Sequence, residues 1–117
     1  MRLLSLAALF FLVPAAVNAD AVMTSSWYGK QFEGKKMANG KPFHMHDASI
    51  VAHKTLRMGC ILELQNPKNQ RILIATVKDR GPYINGRELD LSYAGAEALG
   101  FVHEGVIRLH VNIVYCP

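Results

Sequence analysis

Asp79 is the residue with the clearest opportunity for chemistry. It stands in Lys78-Asp79-Arg80-Gly81-Pro82-Tyr83, directly after the apolar run Ile72-Leu73-Ile74-Ala75-Thr76-Val77. That run is rich in β-branched residues and reads as a buried strand. Gly81-Pro82 then stops it. A carboxylate at such a junction is held by a rigid backbone and still opens onto a groove, which suits a general acid or base. Side-chain alternation sends Lys78 and Arg80 to the face opposite Asp79, so neither neighbour need neutralise it. The competing role is structural, with Asp79 hydrogen-bonding the backbone of its own turn.

Other chemistry-bearing groups are more ambiguous. His44 and His46 are two apart and would share a face of a strand. With His53 or Asp47 they could bind a metal, but nothing in the spacing fixes a third ligand, so no metal or cofactor is expected. A Cys60–His53 nucleophile pair requires Cys60 to be a free thiol. Trp27, Tyr28 and Phe43 would serve either as a stacking platform for sugar rings or as core. Asp90 lies two residues before Ser92 and reads as holding a turn and a helix start. Arg80 and Arg87 would bind substrate carboxylates or pair with Asp90. His103 and His110 read as exposed.

The elements that must position these residues are short. Val22 to Tyr28 is a first strand ended by Gly29. Lys30 to Lys41 holds Gly34, Gly40 and four lysines, and reads as a loop rather than a packed element. Ser49 to His53 is a brief apolar piece. Cys60 to Leu64 is a strand after the Met58-Gly59 turn, and Asn66-Pro67-Lys68-Asn69 returns the chain into the Asp79 strand as a hairpin. Asn85-Gly86 is a further turn. Glu88 to Leu91 leads into Ser92, an N-cap for a helix over Tyr93 to Leu99 that Gly100 closes. Finally, Ile107, Leu109, Val111, Ile113 and Tyr115 alternate with Arg108, His110, Asn112 and Val114, the pattern of a half-buried antiparallel strand. Many strands, one short helix and frequent Gly or Pro turns point to a small, mostly-β barrel.

The chain has 117 residues, enough for one small domain. Met1-Arg2 precedes an apolar stretch from Leu3 to Val13 broken only by Ser5, and Pro14 to Ala19 supplies a small-residue cleavage site. Residues 1–19 thus read as a signal peptide, too short for a membrane span of about 20 residues, and residues 20–117 as the domain. The expected destination is the periplasm or the extracellular space, with no stable membrane anchor. No cysteine adjoins the cleavage site to carry a lipid. Without Arg2 the formal charge falls from +4 to +3. This mild basicity favours an anionic surface such as a cell-wall polymer, and no Lys/Arg run is dense enough for nucleic acid. Two cysteines in an exported chain suggest a Cys60–Cys116 disulfide, two free thiols being the alternative.

Several short motifs occur in order: Ser26-Trp27-Tyr28-Gly29, Ala38-Asn39-Gly40, Ala52-His53-Lys54-Thr55-Leu56, Asp79-Arg80-Gly81-Pro82-Tyr83, Gly86-Arg87, Leu89-Asp90-Leu91-Ser92 and Ala96-Glu97-Ala98-Leu99-Gly100. Together they resemble the rare lipoprotein A family of septal lytic transglycosylases over nearly the whole of residues 20–117, and more distantly expansins and family-45 endoglucanases. The resemblance implies a six-stranded double-psi β-barrel with one short helix. It implies a groove for peptidoglycan glycan strands, and cleavage between N-acetylmuramic acid and N-acetylglucosamine that leaves a 1,6-anhydro end. An ordinary glycosidase pairs two carboxyl groups. Here the substrate's own C6 hydroxyl attacks, so one acid that later serves as base suffices. Asp79 matches the family's catalytic aspartate and His53 its groove histidine, as an orienting or charge-stabilising group. Arg80, Tyr83 and Trp27 are expected at the substrate.

Two positions depart from the family pattern. Lys41 stands where a glutamate is usual, and His44 where an aspartate is usual. Both would be groove residues of altered role. A cation at Lys41 beside Asp79 would favour the ionised carboxylate, and an imidazole, which titrates near neutrality, offers a substitute acid or base at His44. The departures motivate a second reading, a non-catalytic glycan-binding or wall-loosening module. A third is a secreted inhibitor or interaction protein. In each case the barrel is expected to be a monomer.

Overall fold

A computed structural model describes residues 21–117, and the leader read over residues 1–19 lies outside them. Six strands close into one barrel: β1 (Ala21–Tyr28), β2 (Ile50–His53), β3 (Ile61–Gln65), β4 (Ile72–Asp79), β5 (Leu89–Ser92) and β6 (Val106–Tyr115). Their order around the ring is β1-β5-β2-β4-β3-β6. The β1–β5 and β2–β4 pairs are parallel, and the other four are antiparallel. A ring of this kind leaves no open sheet edge.

Alternation builds the interior. Leu62 and Leu64 of β3, Val77 of β4, Leu89 and Leu91 of β5, and Leu109 and Val111 of β6 are buried together with Leu99 and Phe101. Among the described residues there is one α-helix, α1 (Tyr93–Leu99), which covers one end of this core. Ser92 Oγ accepts from the Gly95 amide at its start. Gly100 ends it in the left-handed conformation, φ 75°, which glycine adopts without strain. Both helix ends lie where the sequence puts them. On β6 the expected alternation stops at Val111: Ile113 and Tyr115 are exposed, not buried. The β3–β6 register shifts just beyond the Leu62–Ile113 pair, which takes Tyr115 out of phase with the core.

Cys60 and Cys116 are joined in a disulfide that closes 56 residues of chain. By loop-closure entropy this is worth about 4 kcal/mol, a large fraction of a small domain's stability. The lysine-rich loop is better packed than its composition suggests. Met37 and Phe43 bracket its turn and bury against Ile50, with Tyr28 and Met45 packed alongside. A Lys36–Pro42 bridge closes the turn. This second small core seats the loop against the end of β4.

Candidate functional site

One row of residues crosses four neighbouring strands: Ser26 on β1, Asp90 on β5, Ala52 on β2 and Asp79 on β4. Each gets there by a local rule. Leu89 and Leu91 point into the core, so Asp90 between them points away from it. Val51 is core, so Ala52 faces outward. On β4 strict alternation from Val77 would turn Asp79 inward. A bulge prevents this: Val51 pairs with Val77 but Ala52 with Asp79, which leaves Lys78 as the extra residue. Asp79 and Asp90 therefore flank Ala52 two strand spacings apart, roughly 10 Å between backbones. Only a methyl group stands between them.

All four line a groove of about 600 Å³, large enough for sugar rings. Its rim carries Phe32, Tyr83 and Ile84, 41 %, 78 % and 54 % exposed. Such exposed aromatic surface is the kind that stacks on a sugar face.

The two carboxyl groups have opposite surroundings. Asp79 Oδ2 accepts from the Tyr28 hydroxyl at 3.0 Å. Its Oδ1 accepts from the Ala38 amide at 2.8 Å and the Arg80 amide at 2.9 Å. Three donors fix the orientation of the carboxyl group. Burial and the Asp79 charge raise Tyr28 above the ordinary phenol range, which keeps its hydroxyl a donor. Asp90 accepts one bond, from Ser26 Oγ at 2.8 Å. Burial pushes it up to about 6; the Ser26 bond and the Arg87 charge oppose this, and the Asp79 charge adds to it.

The other sequence candidates divide between groove and surroundings. Tyr83 and Trp27 line the groove, although Trp27 is anchored by its Nε1–H to the Val102 carbonyl and packs edge-on against Tyr93. Arg80 does not point away from Asp79 as alternation implies. It lines the groove margin, and its guanidinium donates to the carbonyls of His53 and Leu56. His53 Nδ1 accepts from the amides of Thr55 and Leu56, so the ring proton is on Nε2. Burial and the Arg80 charge hold its pKa below the ordinary value. The ring is a brace for the loop that grips Arg80, and it is outside the groove lining.

Lys41 and His44 are not brought to Asp79. They line a separate hollow of about 190 Å³ with Asp47 and Lys78. His44 Nδ1 lies 3.1 Å from Glu33 Oε2, while the His46 ring packs against Tyr93. The two imidazoles therefore diverge. Phe43 is buried and stacks on Tyr28, so it supports the site and is no platform.

Asp90 is the residue that the sequence reading misplaced. It makes no helix cap; Ser92 does that alone. The available signal was a lone acid between two leucines on a short strand.

A family model described as lytic transglycolase matches residues 20–111. A probable endolytic peptidoglycan transglycosylase RlpA of Aquifex aeolicus is 47% identical over 92 residues, 79% of this chain and 40% of that protein. The endolytic peptidoglycan transglycosylase RlpA of Campylobacter jejuni is 37% identical over 99 residues, 85% of this chain and 36% of that protein. The chain thus spans about two fifths of the length of these curated relatives. Among solved structures, a Streptomyces papain inhibitor superposes with a TM-score of 0.67 at 19% identity, covering 86% of this chain and 98% of its own. A Clavibacter michiganensis expansin gives 0.63 at 21%, covering 85% and 52%. These likenesses agree with the ring observed: the fold is a double-psi β-barrel.

Proposed function

Taking as premise that the chain belongs to the lytic transglycolase family, we propose that its groove cleaves peptidoglycan glycan strands and leaves 1,6-anhydromuramic ends. The observation that carries this reading is the row Ser26–Asp90–Ala52–Asp79, which sets two carboxyl groups around a space floored by one methyl. In the reaction the C6 hydroxyl of the muramic acid attacks its own anomeric carbon, so the site needs no bound water as nucleophile. Asp79 is the carboxylate that receives the hydroxyl's proton, fixed for the purpose by Tyr28, Ala38 and Arg80. Arg80 ties the end of β4 to the His53–Leu56 loop, so His53 acts at one remove by positioning. Tyr83 and Phe32 hold the sugar rings.

The domain works in the cell envelope, where its substrate lies, and the Cys60–Cys116 disulfide fits an oxidising compartment. Among the described residues no helix is long and apolar enough to cross a membrane. The competing reading, a module that binds glycan without cutting it, was motivated by Lys41 and His44. Both sit in the neighbouring hollow and not between the carboxyl groups.

Purified sacculi provide the test. The wild-type domain is expected to release soluble muropeptides, and Asp79→Asn to bind the sacculi without releasing any. Binding by both forms with release by neither, beside an active relative as control, would favour the non-catalytic module.

A further inference from the structure

Resting on that reading of the groove, we infer that Asp90 is a second catalytic residue, the proton donor to the departing sugar oxygen. Asp79 is poorly placed for that task. With two backbone amides and a phenol converging on its oxygens, it takes up the C6 proton in the same turnover, so it does not also bring the proton that the leaving oxygen needs. Asp90 has the opposite situation. Its one partner is the Ser26 hydroxyl on Oδ1. It lies in the groove lining directly across Ala52 from Asp79. The charged or titratable groups facing it are Arg87 from the approach to its own strand, Tyr28 from β1 and Asp79 from β4, with Arg80 at the margin. Of these, Arg80 is turned to the His53 and Leu56 carbonyls. Burial dominates, and it keeps a proton on Asp90 in mildly acidic solution.

The step balances without any co-reactant. The bond between C1 of the muramic acid and the O4 oxygen of the next sugar breaks, and its electron pair leaves with O4. The Asp90 carboxyl transfers its proton to O4, giving a free hydroxyl. The C6 oxygen forms the new bond to C1 and loses its proton to Asp79. Exchange with solvent then moves one proton from Asp79 to water and returns one to Asp90. The C6 oxygen closes onto C1 on the same face that O4 leaves, so both carboxyl groups work on that face, with roughly 10 Å between their backbones.

A leaving group that needs no proton separates this role from any other. The expected result for Asp90→Asn is a loss of about a thousandfold on glycan strands, within the range for a general acid. On an aryl glycoside of N-acetylmuramic acid, whose nitrophenolate departs unaided, the same variant should stay within about tenfold of wild type. Asp79→Asn should lose both activities. Equal losses for Asp90→Asn on the two substrates, or no loss on glycan, would overturn the inference. A wild type inactive on both substrates would instead sink the transglycosylase reading. An independent readout covers that case: carbon NMR of the folded wild-type domain should show the Asp90 carboxyl titrating near 6. A midpoint in the ordinary aspartate range would exclude it as the donor, whatever the activity.

Discussion

Lys78 and Asp79 are neighbours in sequence and belong to different regions of the molecule. Asp79 faces a groove that holds two carboxyl groups, exposed aromatic rings and a small floor. Lys78 faces a smaller hollow with Lys41, His44 and Asp47, where its ammonium donates to Ser49 Oγ at 2.9 Å. The Met37–Lys41 turn is clamped between them: the Ala38 amide bonds the Asp79 carboxylate and the Asn39 amide bonds the Lys78 carbonyl. A one-residue bulge in β4 sorts the two charges. Acidic and basic chemistry can therefore sit side by side without neutralising each other, because backbone geometry, not distance along the chain, decides which side chains meet.

The largest effect that would break or support this separation is on rate. Asp79→Asn removes the proton acceptor and should slow release of soluble fragments from glycan by about a thousandfold, with far-UV circular dichroism unchanged. A loss of only a few-fold would mean that the groove carboxylates do not share the chemistry as described.

Next comes stability. Asp90 is raised from 3.8 to about 6 on folding, so the folded state binds the proton more tightly than the unfolded chain. Its favourable contribution is complete below pH 3.8 and is lost as pH rises through about 6. Above that the charged, buried form costs the fold roughly 3 kcal/mol. Asp90→Asn removes this cost. Denaturant melts should show the variant more stable than wild type at pH 7.5, with the difference gone below pH 4. A less stable variant at pH 7.5 would show that the Ser26 bond outweighs the desolvation.

Smaller effects test the edges of each region. Tyr83→Ala removes a largely exposed ring from the groove rim and should raise KM by about three- to tenfold with little change in kcat. Lys41→Gln lies across the turn, in the hollow, and should change kcat/KM by less than about threefold because exposed charge outside the groove is screened by solvent. A much larger change would mean that the bound glycan reaches over the Met37–Lys41 turn and that the two regions act as one.

Local rules made much of the barrel legible in the sequence. The β3–β4 hairpin, the Ser92 cap and the Gly100 stop each follow from residues a few positions apart. The disulfide followed from compartment and even count. The row Ser26–Asp90–Ala52–Asp79 was less legible because it depends on pairings between strands distant in sequence, which no local pattern encodes. Ser26 meets Asp90 across 64 residues. The same limit explains Asp90, whose nearness to Ser92 suggested a cap while its cross-strand register put it in the groove. It also explains Lys41 and His44, whose positions beside a family motif suggested the groove although the packing of Met37 and Phe43 turns them to the hollow.

The most direct test of the account is the chemistry of the chain ends. Mass spectrometry of peptidoglycan incubated with the wild-type domain should show fragments ending in 1,6-anhydromuramic acid, absent with Asp79→Asn. Fragments ending in reducing muramic acid, or no fragments from substrate that an active relative cleaves, would contradict a groove built for internal attack by the C6 hydroxyl.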